Sequence, residues 1–82
     1  MIFKLLGDEI DIGSTANNVY SSSLVRVVNR GTSNTVLLQK YANGVQFAST
    51  TVLGNSEIVV IKGGTDIIIG SNMVATPVAY KS

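Results

Sequence analysis

Short runs of branched and aromatic residues alternate along the chain with clusters of Gly, Asn, Ser and Thr. Leu24–Val28 and Val36–Tyr41 are two such runs, bounded by turn formers, and both read as strands. The polar segment Asn29–Asn34 between them offers Gly31 for a positive φ, which predicts an antiparallel hairpin. Further on, Asn43-Gly44 sits between apolar-alternating flanks, and both residue types tolerate the left-handed conformation of a type I′ turn. That spacing predicts a second hairpin. Leu53–Ser56 reads as a turn, Glu57–Lys62 as a strand, Asp66–Ile69 as another, Gly70–Asn72 as a turn and Met73–Tyr80 as the last strand. Pro77 cannot donate to a ladder, so its strand is expected at an edge or with a bulge there. Ile2–Leu6 and Glu9–Ile12 supply the first two strands, and Ser14–Ser23 is polar and irregular. No window of helical length keeps apolar residues at i, i+3, i+4 and i+7 without Gly or β-branched interruptions. About seven to nine short strands at this spacing predict an all-β chain. The expected architecture is a single small antiparallel β-sandwich, immunoglobulin-like or jelly-roll-like, with residues 1–82 as one domain.

The alternation is imperfect. In Val36–Tyr41 one face carries Val36, Leu38 and Lys40, and the other carries Leu37, Gln39 and Tyr41. Ile58 and Val60 similarly oppose Val59 and Ile61. Strands apolar on both faces are normally covered on both, yet a sandwich of this size has one interior. The outer faces are therefore expected to meet a neighbouring molecule, although isolated exposed apolar residues are common in any protein.

Composition strengthens that expectation. A chain of 82 residues buries only about 60–65% of the surface its unfolded form exposes, so its own stability is modest. It has no Cys and no His, which removes disulfides and leaves only oxygen ligands for a metal. Oligomerisation is the remaining common device for a small domain. Charged residues are 13% of the chain and hydrophobic ones 45%, against roughly 25% charged in typical soluble domains. The net charge is +1, with the six Lys and Arg scattered and no aromatic interleaving, so nucleic acid is not expected as a partner. The start, MIFKLLGDEID, turns acidic too soon for a signal peptide, and the short aliphatic runs argue against a membrane span.

Candidate chemistry is sparse. Lys62-Gly63-Gly64-Thr65 lacks the order G-x-x-x-x-G-K-[ST] and precedes a strand rather than a phosphate-binding helix, so it reads as a bend. Asp8, Glu9 and Asp11 alternate with apolar residues and read as the solvent side of a strand rather than a calcium loop. Glu57 and Asp66 resemble a glycosidase pair only in residue type. Their positions beside apolar strands suit charged guards against aggregation better. No catalytic residue, metal ligand or cofactor site is therefore expected, and the chain reads as a non-enzyme. Tyr20, Tyr41, Phe47 and Tyr80 lie on different segments, and packing in the core or at an interface accounts for them better than sugar stacking.

The opening M-I-F-K-L-L-G, the stretch L-V-R-V-V-N-R-G-T-S-N-T-V, then L-G-N-S-E-I-V-V-I-K-G-G-T-D and S-N-M-V-A-T-P-V-A-Y carry a resemblance. Together they resemble small virion structural proteins of marine tailed phages, including cyanophages, some of which decorate or cement the capsid. The resemblance covers most of the chain and brings no catalytic or binding motif. It implies a β-sandwich on the capsid surface, made in the host cytoplasm, with the major capsid protein or other virion proteins as partners. Self-association, as a homo-oligomer or symmetric array, fits the same picture. A tail, neck or fibre position, or a glycan-binding β-sandwich module, is the alternative.

The N-terminal strand is the first candidate for the contact. Alternation lets either Ile2, Lys4 and Leu6 or Phe3 and Leu5 face the core, leaving large apolar side chains outside in each case. Burying each of these would contribute roughly 1.5–3 kcal/mol. Ile2, Phe3, Leu5, Leu6, Tyr41, Phe47 and Tyr80 are the expected interface residues.

Overall fold

Residues 2–81 are described by the computed structural model. Eight strands follow in chain order: β1 (Ile2–Leu5), β2 (Ile10–Asp11), β3 (Leu24–Asn29), β4 (Thr35–Lys40), β5 (Gln46–Val52), β6 (Glu57–Ile61), β7 (Ile67–Ile69) and β8 (Met73–Lys81). No helix occurs among the described residues. The strands form two antiparallel sheets. One has five strands in the order β1-β8-β3-β6, with β2 also on β8, and the other has three in the order β5-β4-β7. The expected small all-β sandwich is the observed architecture.

The core lies where the two inner faces meet. Val25 and Val27 of β3, Ala75 of β8, Leu37 of β4, Val52 of β5 and Ile68 of β7 pack with Ile12, Val19 and Met73. Ile58 and Val60 of β6 lean onto this cluster from the edge. Strict alternation in β3 puts Val25, Val27 and Asn29 inside and Leu24, Arg26 and Val28 outside.

Three expectations about connections need correction. First, β3 and β4 are not a hairpin. They lie in different sheets, and residues 30–34 carry the chain across the sandwich. The buried Asn29 side chain fixes this crossing. Its Nδ2 donates to the carbonyls of Ser33 (3.0 Å) and Val52 (3.0 Å) and to Thr35 Oγ1 (3.2 Å). Its Oδ1 accepts from Gly31 N at 2.9 Å.

Second, Pro77 is in an interior strand, since β8 lies between β3 on one side and β1 and β2 on the other. Its carbonyl accepts from Leu6 N at 2.9 Å. Backbone N and O of one strand residue point the same way, so the Pro77 nitrogen faces the break between β1 and β2. The interruption at residues 6–9 does the work expected of an edge. Gly7 lies there against the proline ring, where an added Cβ would come within 3.1 Å of Pro77 Cγ.

Third, the β4–β5 hairpin occurs where Asn43-Gly44 places it, but the turn is not type I′. Gly44 has φ +90° while Asn43 is not in the left-handed region. Gly44 N donates to the Tyr41 carbonyl (2.8 Å) and Tyr41 N to the Val45 carbonyl (2.9 Å). That is a three-residue loop, a type I turn closed by a left-handed glycine. A register shift follows at once, with Lys40 opposite Gln46 and Gln39 opposite Ala48, so Phe47 is the extra residue of a bulge.

The irregular segment after β2 contains a run that sequence pattern does not reveal. Val19, Tyr20 and Ser21 all have positive φ, at 53°, 59° and 55°. Each left-handed non-glycine residue costs roughly 1–2 kcal/mol. The cost is offset locally: Asn17 Oδ1 accepts from Val19 N (2.7 Å) and Asn18 Oδ1 from Ser21 N (3.2 Å). It is also offset by Val19, whose side chain is buried in the core.

Candidate functional site

The register of the five-stranded sheet defines its outer face. Leu24 pairs with Ile61, Arg26 with Val59 and Val28 with Glu57. On the other side of β3, Arg26 pairs with Thr76 and Val28 with Val74. Phe3 pairs with Tyr80 and Leu5 with Val78. Directly opposed residues share a face, so Phe3, Leu5, Tyr80, Leu24, Val59 and Ile61 look outward together. Leu5 and Ile61 are 68% and 80% exposed. Arg26 and Glu57 form an ion pair within this apolar field. One carboxylate and one guanidinium thus neutralise each other; exposed Asp11, opposite Val74, is a further charge on this face, beside the apolar Phe3, Leu5, Leu24, Val59, Ile61 and Tyr80.

The expected interface residues fall into two groups. Phe3, Leu5 and Tyr80 belong to the outer face, with Phe3 and Tyr80 edge-to-face at 5.6 Å between ring centroids. Leu6 follows β1 and is exposed; the side chain of Ile2 lies outside the described residues. Tyr41 and Phe47 are elsewhere, on the exposed β4–β5 hairpin, stacked with centroids 4.2 Å apart and rings 28° from parallel. The bulge at Phe47 belongs to this arrangement, since regular alternation would give its side chain a different direction. Tyr41 and Tyr80 therefore sit in separate aromatic pairs on separate sheets. Sequence reasoning set Val59 and Ile61 on one side of a two-faced strand but did not name them, or Leu24, as interface residues. The usable signal was the two-faced apolar pattern of residues 58–61.

The charged residues considered for catalysis have structural partners. Glu57 holds Arg26. Asp66 Oδ2 accepts from Gly63 N at 3.0 Å and from Gln39 Nε2 at 3.4 Å, so it organises its loop rather than merely guarding a strand. Gly63-Gly64 is the bend between β6 and β7, as its sequence implies. Lys62 folds back inside this bend. It is only 4% exposed, and its ammonium donates to the carbonyls of Asp66 (3.0 Å), Gly63 (3.2 Å) and Gly64 (3.5 Å). Burial pushes its pKa below the ordinary lysine value, and the Asp66 carboxylate pulls part of the way back.

Asp8, Glu9 and Asp11 are exposed, the first two between β1 and β2 rather than along one strand. Asp11 accepts from Gly13 N at 2.7 Å. No cluster of three or more acidic side chains able to hold a metal occurs among the described residues. A polar cleft of about 490 Å³ opens at one end of the sandwich, lined by Asp11, Arg30, Thr32, Ser33 and Asn72 among others. A smaller cleft of about 160 Å³ lies between β5 and β6, lined by Leu37, Gln39, Ala48, Ser49, Thr50 and Val60. No helix is long and apolar enough to cross a membrane among the described residues. Set beside known proteins, the chain matches no family model, no curated protein and no solved structure.

Proposed function

We propose that this chain is a non-enzymatic structural protein of a virion, a capsid decoration or cement protein that binds and bridges capsid subunits. The observation that carries the reading is the apolar outer face of the five-stranded sheet. Its shape suits a flat surface mount: the molecule measures 30 × 30 × 19 Å, so a broad side offers area comparable to the roughly 800 Å² per partner of a specific interface. Leu5 and Ile61, mostly exposed in the isolated molecule, would each contribute roughly 1.5–3 kcal/mol on full burial. Repetition over a symmetric shell multiplies a modest single-site affinity. The paired Arg26 and Glu57 add a polar element that fixes orientation more than strength.

Binding to capsids tests this. The protein should co-sediment saturably with capsids lacking it, and Leu5→Glu combined with Leu24→Glu should weaken that binding at least about tenfold with the fold retained, because two apolar contacts become charged. Unchanged binding by the double variant would move the contact to another surface. Binding to isolated tails or to glycan arrays instead of capsids would replace the capsid reading with a tail or receptor role.

A further inference from the structure

We infer that β6 is a pairing edge through which two copies of this chain join, antiparallel and two-fold symmetric about Val59, to make one continuous sheet. This self-association does not depend on the virion reading. It starts from the backbone groups of β6. Asn29 N donates to the Ser56 carbonyl and Lys62 N to the Ser23 carbonyl, both at 2.9 Å. With the register of Val27 opposite Ile58 and Val25 opposite Val60, even-numbered residues of β6 spend their backbone groups on β3. The N–H and C=O of Glu57, Val59 and Ile61 therefore point away from the sheet, and β6 ends the strand order there.

The other edges are blunted by devices that natural sheets use against such pairing. The β1–β2 edge is interrupted at residues 6–9 and carries Lys4. The edge of β7 is covered by Asn17, which exchanges backbone bonds of 3.1 and 3.0 Å with Ile68. The edge of β5 is bulged at Phe47. In contrast, β6 reads Glu-Ile-Val-Val-Ile without Pro, Gly, Lys or bulge. Its one charge, Glu57, is held toward β3, away from the open edge, by Arg26.

The partner that fits is a second copy. Burial along β6 alternates exposed, intermediate, exposed, intermediate, exposed, a pattern symmetric about Val59. A copy turned about that residue sets Val59 against Val59, Glu57 against Ile61 and Ile58 against Val60. Inner side chains then stay inner, and outer ones stay outer. The three outward residues form hydrogen-bonded pairs, each exchanging both N–H···O bonds. The two Glu57 carboxylates stand about 14 Å apart along the strand, too far to repel strongly in physiological salt. The cleft between β5 and β6, bounded by Val60, Ala48 and Thr50, receives the partner's Ile58. The area falls short of a standard interface, so association belongs in the weak, concentration-dependent class.

Sedimentation velocity across low micromolar to millimolar protein, with amide exchange at both ends of the range, tests the pairing. Dimers should form, and the amides of Glu57, Val59 and Ile61 should exchange at least about tenfold more slowly in them than on dilution, as ladder donors do. Val59→Pro removes no bond within the monomer, because that N–H faces outward, and an edge position of this kind tolerates proline. It should keep the fold and lose the dimer. Val59→Lys, which opposes two like charges at the two-fold, should do the same. A monomer at every concentration overturns the inference, and so does association that leaves those three amides unprotected.

Discussion

Replacing Asn29 with leucine removes a side chain that binds the crossing from one sheet to the other. Asn29 is fully buried. Its amide nitrogen serves the Ser33 and Val52 carbonyls at 3.0 Å each, and its oxygen serves Gly31 N at 2.9 Å. Thr35 Oγ1, at 3.2 Å, shares one of the two amide hydrogens and keeps a further bond to the Ser71 carbonyl at 3.1 Å. Three full bonds are therefore lost for a side chain of the same branched outline but larger volume, and overpacking at this buried site adds to the loss. At roughly 1–1.5 kcal/mol each, the expected loss is about 3–4.5 kcal/mol, with the desolvated Val52 carbonyl pushing toward the upper end. A domain of this length has a total stability of about 4–12 kcal/mol. With a urea slope of about 1 kcal/mol/M, the midpoint should fall by about 3–4.5 M or the chain should unfold outright. Asn29→Asp should be at least as damaging, because it replaces the donors with a buried charge aimed at carbonyls. A midpoint lowered by less than about 1 M in Asn29→Leu, at an unchanged slope, would refute the assignment of the crossing to this residue.

Two other substitutions probe different parts of the fold. An added Cβ at Gly44 meets no neighbouring atom within 4 Å, so the expected cost of Gly44→Val, about 1–3 kcal/mol, comes chiefly from a β-branched residue at positive φ, and a melting temperature equal to wild type would exclude that turn geometry. Lys62→Met leaves loop carbonyls without their donor and should cost about 1–3 kcal/mol near neutral pH. The lowered pKa of Lys62 also fixes a sign. Between the folded pKa and the unfolded value of 10.5, the unfolded chain binds more protons, so this group makes stability rise with pH across that window. Denaturant titrations from pH 7 to about 10.5 should show that increment in the wild type and its absence in Lys62→Met.

The strands were legible because each is a local event, a branched run closed by Gly, Asn or Ser. Their partners were less so. Between β3 and β4, the Asn29–Asn34 segment has the length and residues of a hairpin loop, and long-range bonds, the one from Asn29 to Val52 among them, divert it across the sandwich. A contact between residues 23 positions apart leaves no local trace. Pro77 misled in a similar way, since the break that accommodates it belongs to another segment, around Gly7. The left-handed run at Val19–Ser21 is carried by Asn17 and Asn18, whose side-chain bonds to nearby amides are visible in sequence only as two adjacent turn formers. Of the candidate surface, Phe3, Leu5 and Tyr80 were legible from their excess hydrophobicity. Val59 and Ile61 were legible only as one side of a two-faced strand, and which residues, Leu24 included, share their face depends on register.

The proposal that the chain is a capsid-bound structural protein is tested most directly by its copy number in purified particles, measured by quantitative mass spectrometry against the major capsid protein. The expected result is a fixed ratio of the order of one copy per capsid subunit or per local cluster of subunits, as repeated decoration of a symmetric shell requires. A ratio at the level of a few copies per particle would place it in the tail or neck instead. Its absence from particles would contradict the structural role altogether.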